Sequence, residues 1–257
     1  MKHPLRTLLL AVCCGLAAAC TQRQERLKLM SYNIRNGIGI DNIQDIDRIA
    51  RVILREAPDL VALQELDSAT LRVDGRYIPG ELGRMTGMHA TFGRAIGFAG
   101  GSYGVGLLSR TEPLAVRSTP LPGREEARVL LMAEFPDYTV CVTHLSLTPE
   151  DRHASLPLIL QATDTCRKPV LLAGDFNTGD AAAVLAGLGG GFRILSDTTR
   201  MTFPSDNPAV RIDYILGRGL PTSATVTESA VDHTATASDH CPLWVTLAWK
   251  RGKQPGK

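Results

Sequence analysis

The sequence predicts an α/β protein in which largely antiparallel or mixed sheets carry helices on their outer side. Three observations lead there. Short apolar or alternating segments suited to strands outnumber segments with helical periodicity. Several neighbouring strands are close enough in sequence to join as hairpins, and no regular strand, helix, strand alternation runs through the chain.

"LKLMSYNI" (27–34) alternates as a strand, and "DIDRIARVILREA" (45–57) places Ile46, Ile49, Ala50, Ile53 and Leu54 on one helical face before Pro58 ends it. "DLVALQE" (59–65) reads as a buried strand, and "YIPGELGRMTG" (77–87) returns to helix. Short strands follow near 88–94, 104–109, 113–118, 128–135 and 138–145, the last two forming a hairpin that turns at "PDY". Residues 150–165 suit a helix, 169–174 a strand and 180–188 a short helix, and strands near 211–216, 222–229 and 241–248 close the pattern. No internal repeat, low-complexity linker or break marks a second domain. At 257 residues with 44% hydrophobic content, the chain can bury one substantial core.

The first twenty residues stand apart. Lys2 and Arg6 precede "LLLAVCCGLAAAC", the layout of a secretory signal peptide and too short an apolar run to cross a bilayer as a helix. "LAAAC" resembles a bacterial lipobox, with Cys20 as the acylated first mature residue, although Ala17 stands where Leu is commoner. The alternative is plain cleavage after an A-x-A site. The expected organisation is a signal peptide over 1–19, a tether over 20–26, one domain over 27–249 and a basic tail over 250–257. The protein is then exported from a bacterial cell, either anchored in the envelope through Cys20 or free in the periplasm or medium.

Removing residues 1–19 takes away Lys2 and Arg6 and no acid, leaving 26 basic against 26 acidic residues. That balance counts against a protein whose main task is gripping a nucleic-acid backbone. Cys141, Cys166 and Cys241 remain beyond the lipobox, with no metal-ligand spacing among them. They read as small buried hydrophobes, and export would permit one Cys141–Cys166 disulfide.

Functional chemistry shows at the strand ends. "LMSYN" ends at Asn33, "DLVALQE" at Glu65, "TVCVTH" at His144 and "VLLAGDFN" at Asp175 and Asn177; "RIDYIL" carries Asp213, and "ASDHCPLWVTL" opens with Asp239 and His240. Singly, each could be a turn cap, a solvated end or a satisfied core residue. Together they suggest a shared site, since buried polar groups need partners. An oxygen-rich set without cysteine suits a hard cation such as Mg²⁺, with Mn²⁺ as the alternative, better than zinc.

The ordered set YN(33), QE(65), "YGVGLLSR" (103–110), TH(144), "GDFN" (174–177), "RIDYI" (211–215) and "SDH" (238–240) resembles the endonuclease/exonuclease/phosphatase superfamily, and its motifs span nearly the whole mature chain. The resemblance implies a four-layer α/β sandwich: two packed mixed sheets flanked by helices, with the active site in the cleft at the strand ends. It also implies roles. Glu65 would be the principal metal ligand, with Asn33 beside it and Asp239 completing or supporting the site. Asp175 and Asn177 would orient or deprotonate the attacking water and hold the phosphate. His240 would be an acid/base whose tautomer Asp213 fixes. His144 would contact the scissile phosphate or protonate the leaving group, and Tyr103 would contact phosphate if it is not a core aromatic. Arg128 lies where an arginine often points toward the cleft, with a surface salt bridge as the equal alternative, and stays outside the catalytic set. Arg35 stands where some nucleases of the superfamily carry an acid, which favours one metal site centred on Glu65.

Three functions follow. The first is an exported Mg²⁺-dependent phosphodiesterase or phosphatase acting on a lipid headgroup or another small phosphoester. The second is a secreted or surface nuclease, disfavoured by the missing basic patch and an aromatic content of 5%. The third is an inactive binding module, which would need principal groups to be missing. The partners implied are the phosphoester substrate and, through an acylated Cys20, a membrane; no protein partner is implied.

Overall fold

The computed structural model describes residues 24–250. Their strands form two six-stranded sheets. The first runs in the order β11 (Thr225–Val231), β12 (Leu243–Lys250), β1 (Gln24–Asn33), β2 (Leu60–Ser68), β4 (Gly101–Ser109) and β3 (His89–Phe98). The second runs β5 (Ala115–Leu121), β6 (Arg128–Glu134), β7 (Thr139–His144), β8 (Val170–Asp175), β10 (Asp213–Arg218) and β9 (Arg193–Ile194). Each sheet is antiparallel except for one central parallel pair, β1 with β2 and β7 with β8, so both sheets are mixed.

Period-two alternation sorts the side chains into layers. Leu27 and Leu29 of β1, Val140 and Val142 of β7, Leu171 and Ala173 of β8 and Val245 of β12 share the core between the sheets. Met30 and Tyr32 point the other way, into a cluster with Ile46, Ile49 and Ile53 of α1 (Ile46–Glu56) and Leu82 of α2 (Ile78–Thr86). Cys141, Leu172, Phe176 and Tyr214 do the same on the second sheet, under α3 (Pro149–Asp164) and α4 (Ala181–Leu188). The result is the four-layer order helix, sheet, sheet, helix. The N-terminus of α1 is capped by Asp45, whose Oδ1 accepts the N–H groups of Asp47 and Arg48 at 2.9 and 3.3 Å.

Several expectations shift. Val52 joins the α1 cluster while Leu54, expected on the core face, is 52% exposed. The sheet and α2 together cover the Ile46, Ile49, Ile53 stripe and the Val52 side, and leave the Leu54 side to solvent. The stretch expected as tether gives up residues 24–26 to β1, where they pair with Lys250, Trp249 and Ala248. Lys250, assigned to the tail, therefore closes β12. The strand expected at 222–229 starts at Thr225, because Pro221 to Ala224 make a turn closed by a 2.8 Å backbone bond. The two-residue β9 gave no sequence signal. Cys141, Cys166 and Cys241 are free thiols. The signal peptide, Cys20 and residues 251–257 lie outside the described residues. No helix among the described residues is long and apolar enough to cross a membrane.

Candidate active site

The face of each strand that builds the inter-sheet core turns polar where the strand reaches one end of the sandwich. On β7, Val140 and Val142 are followed two positions on by His144; on β8, Leu171 and Ala173 are followed by Asp175; on β10, Asp213 precedes Ile215. Register puts these three in one row, with His144 opposite Asp175 in the parallel pair and Asp213 opposite Asp175 in the antiparallel one. Phe176, one residue on, faces the opposite side and is fully buried against Tyr214. Gly174 is required for the close approach of β7, since a Cβ there would lie 2.0 Å from the Thr143 carbonyl oxygen.

On the first sheet Asn33 follows Leu27, Leu29 and Ser31 on the inner face of β1. Glu65 gets there differently. Val61, Leu63 and Leu66 of β2 all face the helix layer, and the pairing with β4 shifts register between Leu63 and Leu66. Glu65 sits in that bulge with φ of 56°, a left-handed conformation unusual for a side-chain-bearing residue. Continued alternation would have sent its carboxylate outward; the bulge lets it meet Asn33.

Asp175 is the hub. Its Oδ2 accepts a hydrogen bond from Asn33 Nδ2 at 3.1 Å and lies 3.5 Å from Nε2 of His144 and 3.6 Å from Nε2 of His240. Its Oδ1 accepts the backbone N–H of Asn177 at 2.8 Å, and Asn177 Nδ2 donates to the Leu145 carbonyl at 2.8 Å. Asn177, at φ of 51°, thus locks the strand end and aims the carboxylate. Burial raises the Asp175 pKa above the ordinary carboxylate range, Asp213 adds to this, and the two histidines oppose it. His240 is held at Nδ1 by Asp213 Oδ2 at 2.9 Å, with Phe203 packed on its ring. Burial alone would lower the His240 pKa, but the Asp213 charge and hydrogen bond, with Asp175 and Asp239, raise it to about 10.

The donor set fits a hard divalent cation. Burial pushes the Glu65 pKa up, with Asp239 and Asp175 adding to the shift and an Asn33 hydrogen bond at 3.0 Å opposing it. A half-buried carboxylate with acidic neighbours is what a bound cation would neutralise. Asn33 Oδ1 already accepts the Arg35 N–H at 3.1 Å, while Arg35 Nε lies 3.5 Å from Asp239 Oδ2. Asp175, Asp213 and His240 also bring one ligand atom each within 4.8 Å of one another, and Asp213 Oδ1 is buried without a partner. With Nδ1 held by Asp213, His240 could serve a cation only through Nε2 and only as the neutral imidazole, since a protonated ring offers no lone pair.

Tyr103 borders the Glu65 side. It is buried, its ring lies 6.3 Å from that of Phe98, and the Arg72 guanidinium sits 4.6 and 5.1 Å above the two rings. Burial and the nearby Glu65 charge raise the Tyr103 pKa, which keeps the phenol neutral. Arg72, which the sequence did not flag, is fixed by Asp67 at 2.8 Å and by Asn36 at 2.6 Å. Arg128, for which a cleft position and a surface salt bridge stood as equal alternatives, is not at the surface. It is 6% exposed, and its Nη1 lies 3.3 Å from Nδ1 of His144 while donating to Glu126 at 2.9 Å. Its place at the head of β6, beside the strand that ends in His144, was the available signal.

Residues 30–240 match the model of the Endonuclease/Exonuclease/phosphatase family. Among solved structures, the fold is similar to an endonuclease/exonuclease/phosphatase from Bacteroides vulgatus, with a TM-score of 0.72 and 19% identity over 88% of this chain and 99% of that one. It is also similar to the mannosyl-6-phosphatase of Bacteroides thetaiotaomicron VPI-5482, with a TM-score of 0.66 and 19% identity over 86% and 99% of the two chains. A third similar structure is D. rerio TDP2 complexed with single strand DNA product, with a TM-score of 0.63 and 23% identity over 86% and 98%.

Proposed function

This chain belongs to the endonuclease/exonuclease/phosphatase family, and from that premise we propose that it is an exported, Mg²⁺-dependent hydrolase of a lipid headgroup or another small phosphoester. The observation that carries the reading is the gathering of Asn33, His144 and His240 around one anionic oxygen, Oδ2 of Asp175. Donors arranged for a negative oxygen in a buried site are what a phosphoryl group requires.

Glu65 would hold the cation with Asp239 and Asn33, and the bound cation would polarise a phosphoryl oxygen. Asp175, whose raised pKa suits proton uptake, accepts a proton from water as the water oxygen bonds to phosphorus. The ester P–O bond breaks, and the leaving oxygen takes a proton from His240, which Asp213 keeps charged. His144 contacts the phosphoryl group, and Tyr103 offers a neutral hydroxyl on the Glu65 side. Export through residues 1–19, with acylation at Cys20, belongs to the same proposal.

The similarity to a mannosyl-6-phosphatase supports a small substrate, and the balanced charge of the mature chain points the same way. The TDP2 structure with single strand DNA product keeps a nuclease as the second reading. Release of nitrophenol from bis-p-nitrophenyl phosphate should need Mg²⁺ and be lost in Glu65→Ala and His240→Ala. A side-by-side panel of phospholipids, sugar phosphates, plasmid DNA and RNA separates the substrates, and cleavage of nucleic acid alone would overturn the preference for a small ester.

A further inference from the structure

We propose that Arg128 is a positioning residue that fixes His144 as a neutral imidazole with its proton on Nε2, making His144 a hydrogen-bond donor to an anionic oxygen and not the acid of the reaction. The assignment of a role in turnover rests on the phosphoester-hydrolase reading; the tautomer itself does not.

A guanidinium carries only donors and stays charged at any working pH. Its Nη1 lies 3.3 Å from Nδ1 of His144, so Nδ1 must be the acceptor. A proton there would set N–H against N–H and cation against cation. The neutral ring then carries its proton on Nε2, the atom 3.5 Å from Asp175 Oδ2.

Arg128 has little freedom to leave. It is buried at the head of β6, Nη1 also donates to Glu126, and Nη2 donates to Glu125 Oε1 at 3.4 Å. Glu125 is in turn gripped by the Ser146 hydroxyl at 2.7 and 2.8 Å and the Leu147 N–H at 2.6 Å, both in the loop that leaves His144. Arg128 Nε is buried without a partner, a cost that a side chain held by the other two nitrogens accepts. The charged and titratable groups around the His144 ring are Arg128 from β6, Asp175 from β8, His240 from the approach to β12 and Glu125 from the loop before β6. Burial, opposed by Asp175 and reinforced by Arg128 and His240, pushes the His144 pKa down to about 4.

The two histidines therefore carry opposite instructions. Asp213, an acceptor, holds a proton on Nδ1 of His240; Arg128, a donor, keeps one off Nδ1 of His144. His144 is left with its Nε2–H on the Asp175 side in the free protein and donates it to a non-bridging phosphoryl oxygen when substrate enters, and protonation of the leaving oxygen falls to His240.

Two-dimensional ¹H–¹⁵N spectra of the ¹⁵N-histidine-labelled mature chain, with Mg²⁺ and with chelator, read the tautomer directly. At pH 7 His144 should show a bare Nδ1 and a protonated Nε2. Arg128→Lys, which keeps a cationic donor, should preserve that pattern, and Arg128→Leu should populate both tautomers. With bis-p-nitrophenyl phosphate, Arg128→Leu should lose kcat with less change in KM, and Arg128→Lys should recover part of the loss. A proton on Nδ1 of His144 in the wild type, or an Arg128→Leu spectrum identical to it, would overturn the proposal. If Arg128→Leu does not fold, the wild-type and Arg128→Lys spectra decide. If the protein hydrolyses no phosphoester, the functional reading fails while the spectra still decide the tautomer.

Discussion

His144 and His240 reach the same atom, Oδ2 of Asp175, at 3.5 and 3.6 Å, one from the end of β7 and the other from the chain entering β12 in the opposite sheet. Asp213 is what makes the second of them cationic. Asp213→Asn keeps the shape of that contact but removes the charge that stabilises an imidazolium. The expected result is a fall in kcat of about 10²- to 10⁴-fold with little change in KM, the range a positioned acid/base supplies. Steady-state kinetics on bis-p-nitrophenyl phosphate measure it, and an unchanged kcat would refute the orienting role.

Metal removal should be visible without turnover. A cation that binds the folded protein around Glu65 and not the unfolded chain stabilises by about 2.7 kcal/mol at one hundred times its Kd. For a chain of this size that raises Tm by roughly 5–10 °C. Melting curves with Mg²⁺ and with chelator should show that rise in the wild type and lose it in Glu65→Gln. An equal rise in both proteins would move the cation away from Glu65.

Arg35 sits on the metal side with its Nε 3.5 Å from Asp239 Oδ2, both side chains about one-third exposed. A cation arriving at Asp239 must compete with it. Arg35→Gln should therefore lower the Mg²⁺ concentration for half-maximal activity by about two- to fivefold, the worth of a partly exposed ion pair. A magnesium titration of the two proteins checks this, and a weaker response in the variant would show that Arg35 supports the site instead of competing for it.

Much of this site was legible because it obeys strand periodicity. Asn33, His144 and Asp175 close, and Asp213 opens, an inner-face series whose apolar members build the core, so a pattern of alternation bounded by an acid, amide or imidazole marked them. Glu65 broke the pattern: it faces the cleft through a bulge, which periodicity cannot foresee and only its chemistry suggested. Arg128, for which a place by the cleft and a surface salt bridge were equal alternatives, was legible only in part. Its burial and its contact with His144, 16 residues along the chain, exist only once β6 and β7 pair. The start of β1 at Gln24 was hidden likewise, since it is defined by pairing with β12.

Glu125 gives a stability signature of the loop that holds Arg128. Burial would raise its pKa, but hydrogen bonds from Ser146, the backbone and Arg128 outweigh that and bring it down to about 2, below the ordinary value of 4.5. A carboxyl with a depressed folded-state pKa contributes stability that is fully present above pH 4.5 and disappears as pH falls through about 2. Unfolding of the wild type and of Glu125→Gln, followed by urea titration from pH 7 downward, should therefore show a constant gap above pH 4.5 that narrows between there and pH 2. The neutral amide keeps the size of the side chain and removes its titration. A gap that stays constant across the acid range would mean the loop is held by packing, with the charge of Glu125 contributing nothing to it.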